Sequence, residues 1–217
     1  MFVGHTALAL AAKAREPKLS LGLLVAASFW IDLVWPVLLI LGVETVRIEP
    51  GNTAFTPLAF ESYPWTHSLM LVLLWGAAFG LAFVARSGPR AAVLLGALVV
   101  SHWFLDLASH RPDLPLWPGT SPLFGLGLWY SVPATFLVEG SLLAIGLTLY
   151  LRTTKPLDKA GSIAFFTFLG LQLVIWASGP FAPPPPSATA VGWAALITWL
   201  LPFWAGWADR HRRTGIA

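Results

Sequence analysis

His102, Asp106 and His110 stand four residues apart within the stretch Ser101-His102-Trp103-Phe104-Leu105-Asp106-Leu107-Ala108-Ser109-His110. On a helix that spacing puts all three on one face. The residues between them are what lipid or a packed bundle wants, so the two imidazoles and the carboxylate are costly there unless they bind or react with something. The same residue types recur inside other apolar stretches, as His5, Asp32, His67 and Glu139. Imidazole nitrogen and carboxylate oxygen are the donor set for zinc, manganese or iron. The chain has no cysteine, which excludes thiolate metal sites and disulfides.

The elements that must position these groups are membrane helices. Of the 217 residues 57% are hydrophobic and 11% charged, and the mean hydropathy is +0.73. A soluble domain carries about 25% charged residues. The apolar runs predict six spans, over 19–43, 67–85, 91–109, 125–151, 162–179 and 187–208. Residues 1–14 form an apolar segment too short to cross, since a crossing takes about 20 residues. That segment is expected as an interfacial or re-entrant helix; its basic residues follow the apolar part, unlike those of a cleavable leader. Residues 44–66 read as a polar loop broken by Pro and Gly, with Thr66 as the N-cap of the next helix.

Depth follows from the 1.5 Å rise per helical residue, counted from the nearest basic cluster. Asp32 comes out at ~21 Å, His102 at ~18 Å, Asp106 at ~24 Å and Glu139 at ~20 Å, with His67 near the outer surface at ~28 Å. Four groups from three spans thus share a layer just outside the midplane, and His67 lies above it. His5 approaches that layer only if the first segment is re-entrant, which is allowed where a broken helix lines a protein cavity.

Basic clusters at Lys13/Arg15/Lys18, Arg86/Arg90, Arg152/Lys155/Lys159 and Arg210/Arg212/Arg213 fall on one side of six spans. The positive-inside rule makes that side, and both termini, cytoplasmic. The net charge of +3 is therefore a topology signal rather than a sign of nucleic-acid binding. Most of the twelve Trp residues read as interfacial belts. Several groups also have plainer readings: Glu139 as a packing anchor, His110 as a partner of the last helix carbonyls, Glu61, Arg111 and Asp113 as solvated loop residues, and His211 as part of the basic tail.

Four patches resemble a known family, the bacterial LexA-regulated inner-membrane proteins described as metal-dependent hydrolases. They are Gly4-His5-Thr6-Ala7-Leu8, Trp30-Ile31-Asp32 with Pro36, Trp65-Thr66-His67-Ser68-Leu69, and Ser101-His102-Trp103-Phe104-Leu105-Asp106 running to Pro115-Leu116-Trp117-Pro118. The likeness covers roughly residues 4–118, and its last two motifs are the more specific. It implies His5, Asp32, His67, His102 and Asp106 as metal or catalytic positions. Trp30 stands where the family has a first Asp, Leu33 where it has a His, and Ser62-Tyr63-Pro64 where it has H-R-G. The resemblance therefore implies one metal held by the five residues that remain.

The expectation is an all-α polytopic membrane bundle of about six transmembrane helices plus a short N-terminal re-entrant or interfacial helix. It forms a single membrane domain over 1–217, with the site carried by 1–151 and the helical pair in 160–209 serving as scaffold or partner surface. The expected function is hydrolysis of a lipid or another membrane-accessible ester or phosphoester in the bacterial inner membrane. A divalent metal, zinc first and manganese or iron after it, is held by His5, Asp32, His67, His102 and Asp106. Asp106 doubles as an orienting carboxylate, Glu139 is the candidate base and Arg111 the candidate anion clamp. Two other classes fit the same residues: a small transporter or cation conductor, and an assembly subunit that docks a protein partner or a second copy through its C-terminal helices.

Overall fold

The computed structural model describes residues 1–215 as an all-α bundle trimmed with three short two-stranded ladders. Four helices are long and apolar enough to cross a membrane, and a bent pair adds a fifth candidate. Their outward faces carry large apolar side chains. Leu81, Val93, Leu137, Val174 and Phe203 are 66–74% exposed, an arrangement suited to contact with lipid.

The first helix, α1 (Val3–Arg15), is buried along nearly its whole length. It packs most extensively on α6 (Val132–Thr153) and also touches α2 (Leu21–Ser28). The helix is therefore packed inside the bundle rather than lying on its surface. The close approach needs Gly146, because a Cβ there would overlap the backbone of Ala7. Lys13, read above as a topology charge, is buried and pairs with Asp209 at 2.9 Å. Asp209 also accepts from the backbone N–H of Leu21 at the start of α2.

The predicted first span is broken. Its two parts, α2 and α3 (Trp30–Ile40), meet at Phe29 with a bend of 54°. The predicted loop over 44–66 contains an antiparallel hairpin, β1 (Thr45–Ile48) with β2 (Leu58–Ser62). A single turn, α4 (Pro64–His67), follows. Ser68, not Thr66, caps the next helix, its side chain accepting from Leu71 N–H. Thr66 is thus released for a different partner.

Helix α5 (Leu69–Ser109) folds back on itself at Gly88, where φ is 81° and ψ is 165°. Gly76 lies against Gly96 and Gly80 against Ala92, so that a Cβ at either glycine would sit 2.7–2.8 Å from a facing carbonyl oxygen. The limbs 69–87 and 89–109 are therefore antiparallel and in backbone contact through small residues. Each is long enough to cross, which recovers the expected second and third spans. The Gly88 conformation is open essentially to glycine alone. Gly88→Ala should cost about 1–3 kcal/mol through strain, since a Cβ there meets nothing within 4 Å. Gly170→Ala, in open space on a regular helix, should stabilise by up to about 1 kcal/mol. Thermal unfolding in detergent checks both.

After α5 comes a ladder of β3 (Leu114–Pro115) and β4 (Leu123–Phe124). The fourth span starts at Val132 rather than 125, with Ser131 as its cap. Beyond it, β5 (Thr154–Pro156) leads into α7 (Lys159–Ser178). The last span is α8 (Ala188–Ala195) and α9 (Leu200–Arg210), joined by a 3-10 turn at Leu196–Trp199. The basic linker and the basic tail pair with each other through β5 and β6 (Arg212–Thr214).

Candidate metal centre

Five imidazole and carboxylate groups from four separate segments meet in the interior. His5 comes from the first turn of α1, Asp32 from the first turn of α3, His67 from the end of α4, and His102 and Asp106 from the second limb of α5. His102 Nε2 lies 3.5 Å from Asp32 Oδ1 and 3.1 Å from Asp106 Oδ2. His67 Nε2 lies 4.0 Å from Asp32 Oδ1 and 3.7 Å from Asp106 Oδ2. His5 Nε2 is 3.3 Å from Asp106 Oδ1, and its ring stacks on that of His102 with centroids 3.8 Å apart. The Met1 amino group also contacts Asp106 Oδ1. Two overlapping ligand sets result, His5/His102/Asp106 and Asp32/His67/His102, and either can hold a metal ion.

The ring orientations are fixed from behind. The break at Phe29 takes Ser28 out of the helical ladder, and its carbonyl accepts from His102 Nδ1–H at 3.0 Å. Thr66 donates its hydroxyl to Glu44 Oε2 at 2.7 Å. Its oxygen then accepts from His67 Nδ1–H, also at 2.7 Å. With Nδ1 of both rings engaged from behind, Nε2 is the atom each ring turns towards the carboxylates. A buried Nε2 facing two carboxylate oxygens needs a positive charge between them, a proton or a metal ion, and the 3.1 and 3.5 Å contacts of His102 Nε2 leave room for either. Four ligands at about 2.0–2.1 Å from a tetrahedral ion lie about 3.3 Å apart, close to the spacings found here.

The residues behind the cluster form a second layer, of which helical spacing revealed His110 but not Tyr63, Glu44 or Asp113. His110 continues the stripe, with Nε2 3.9 Å from Asp106 Oδ2 and Nδ1 2.9 Å from Asp113 Oδ1. Tyr63 donates to the same Asp113 oxygen at 2.8 Å. Burial and the Asp113 carboxylate push the Tyr63 hydroxyl well above its ordinary range. Glu44 was hidden because it follows an apolar run with no periodic relation to the other groups. Burial raises its pKa, and donation from Thr66 pulls it back in part. Backing partners of this kind orient metal-binding imidazoles, and losing one costs about 10–100-fold in affinity. Thr66→Val should weaken metal binding by about that factor with little loss of helix content, read by metal titration with circular dichroism as the control.

Two expected site residues stand apart from the cluster. Glu139 Oε2 accepts from the N–H groups of Phe2 (3.0 Å) and Gly4 (3.3 Å). It thereby satisfies the open start of α1, where a negative charge is favoured. Its Oε1 is buried without a hydrogen-bond partner. Arg111 is held by Asn52 Oδ1 at 2.5 Å and Asp113 Oδ2 at 3.3 Å.

No protein-family model, curated protein or solved structure matches the chain.

Proposed function

We propose that the protein is a membrane-embedded, metal-dependent hydrolase acting on a lipid or another membrane-accessible ester or phosphoester. The observation that carries this reading is the convergence of His67 and His102, each with Nδ1–H tied to a backing acceptor, on the oxygens of Asp32 and Asp106. The likeness of the four sequence patches to the inner-membrane hydrolase family supports it. Zinc is the metal best suited to this mixed nitrogen and oxygen donor set, and bound there it supplies Lewis acidity and a nucleophilic water near neutral pH.

The chain's own groups have distinct tasks. His67, His102 and Asp32 bind the metal, with His5 and Asp106 completing the set. Asp106 also holds the His5 ring, which Glu139 brings into place by anchoring the start of α1. Arg111, held by Asn52 and Asp113 in the outer loops, is the anion-binding group.

The proposed setting is a bacterial inner membrane with both ends of the bundle's chain cytoplasmic. The Lys13–Asp209 pair and the β5–β6 ladder support one common basic end for the bundle. A panel of carboxylic and phosphoric esters, incubated with the detergent-purified protein, tests the function. Turnover abolished by chelation and restored by zinc is expected. A protein that binds no divalent metal, or whose turnover ignores chelation, overturns the reading.

A further inference from the structure

A cavity of about 710 Å³ lies beside the cluster, within the roughly 300–1,000 Å³ span of ligand sites. Its walls come from Trp35 on α3, Ile175 and Trp176 at the end of α7, and Ala190, Ala194 and Leu201 on α8 and α9. Among the described residues, Asp32 is the one charged group that lines it. Asp32 is also the cluster member that faces open space, its side chain 26% exposed where those of His102 and Asp106 are 1% and 4%. Helix α7 packs on α9 but scarcely meets α8, while α8 packs on α3. Helix packing therefore leaves a gap between α7 and α8, and the cavity is bordered by the proline-rich turn at Pro183, Pro185 and Pro186 and by Phe55 and Phe60 of the outer loop.

From this geometry we infer that the cavity holds an acyl chain of a membrane lipid, entering between α7 and α8, with the ester or phosphoester end presented to Asp32. A polar substrate would lose its hydration here without gaining hydrogen-bond partners. An acyl chain exchanges one apolar surrounding for another, and only its polar end meets a charge. The last two spans then become the wall of a substrate site rather than scaffold or partner surface. The inference deepens the hydrolase reading and rests on it for the reaction, though not for the binding.

The test uses full-length protein in phosphatidylethanolamine/phosphatidylglycerol vesicles containing a trace of phosphatidylglycerol with a diazirine in its acyl chain. After irradiation, labelled peptides should map to Ile175, Ala190, Ala194 and Leu201. Ala194→Trp, which fills the cavity from a position outside the core, should cut that labelling at least 10-fold. It should cut hydrolysis of a long-chain ester equally, while leaving metal content and hydrolysis of a water-soluble short-chain ester unchanged. Ala190→Trp serves as a second blocking variant, and unchanged metal content certifies that either one is folded. Labelling spread over the outward lipid-facing residues and indifferent to both substitutions overturns the inference, whatever the turnover. Labelling confined to the cavity in a protein that binds no metal upholds the acyl site and removes the hydrolase reading.

Discussion

Detergent-purified His102→Ala is expected to carry no more divalent metal than a buffer blank, while the wild-type chain carries close to one ion. His102 is the group shared by both ligand sets, so its loss dismantles each of them. It also leaves Asp32 and Asp106 facing one another without the imidazole between them. Metal affinity should fall by more than the 10–100-fold typical of losing a backing partner, because a ligand itself is removed. The stability consequence follows by linkage. A ligand present at about 1,000 times its Kd adds about 4 kcal/mol to the folded state. Zinc should therefore raise the melting temperature of the wild type and leave that of His102→Ala unmoved. Equal metal content in the two proteins would remove the metal centre altogether.

The second large effect is expected from a residue that touches no ligand. Gly146→Leu should destabilise by about 3 kcal/mol, the upper part of the usual overpacking range, and should also weaken metal binding. The obstacle a side chain meets there is the backbone of Ala7, which has no rotamer to change. Helix α1 must then move off α6, taking His5 away from Asp106 and drawing Phe2 and Gly4 off Glu139. Gly140→Ala is the control on the same helix. Its nearest neighbour is the ring edge of Trp176 at 3.6 Å, an ordinary contact. Helix propensity then makes it neutral or slightly stabilising, by up to about 1 kcal/mol. Thermal unfolding and zinc titration, run on both variants, separate the two. A Gly146→Leu protein with wild-type stability and affinity would mean that α1 is not seated as described.

Much of this was legible in the sequence because membrane helices obey two local rules. Length and apolarity set the number of crossings, and the 1.5 Å rise sets depth. The coincidence in depth of Asp32, His102 and Asp106 followed from those rules alone, and so did the i, i+4 relation between His102 and Asp106. His5 could be placed only conditionally. Whether a short apolar helix lies on a surface or enters the bundle depends on close contact with Gly146 and on Glu139 receiving its free N–H groups, both distant in the chain.

Other features were beyond local rules for similar reasons. The break at Phe29 frees the Ser28 carbonyl for His102, yet Ser28–Phe29–Trp30 contains no proline or glycine to announce it. Thr66 looked like an N-cap because its residue type suits one, and Ser68 suits one equally. Tertiary contact with Glu44 decided between them. The apolar cavity left no trace in the pattern, since Ala190, Ala194 and Ile175 read like any lipid-facing positions. Sequence alone thus determined which groups are costly to bury and the common level of Asp32, His102 and Asp106, because both depend on residue type and helical rise, whereas His67, expected above that level, joins the cluster and Glu139, expected within it, stands apart. Which way each ring turns, and what open space Asp32 faces, came only with the tertiary structure, because those depend on groups far apart in the chain arriving at the same place.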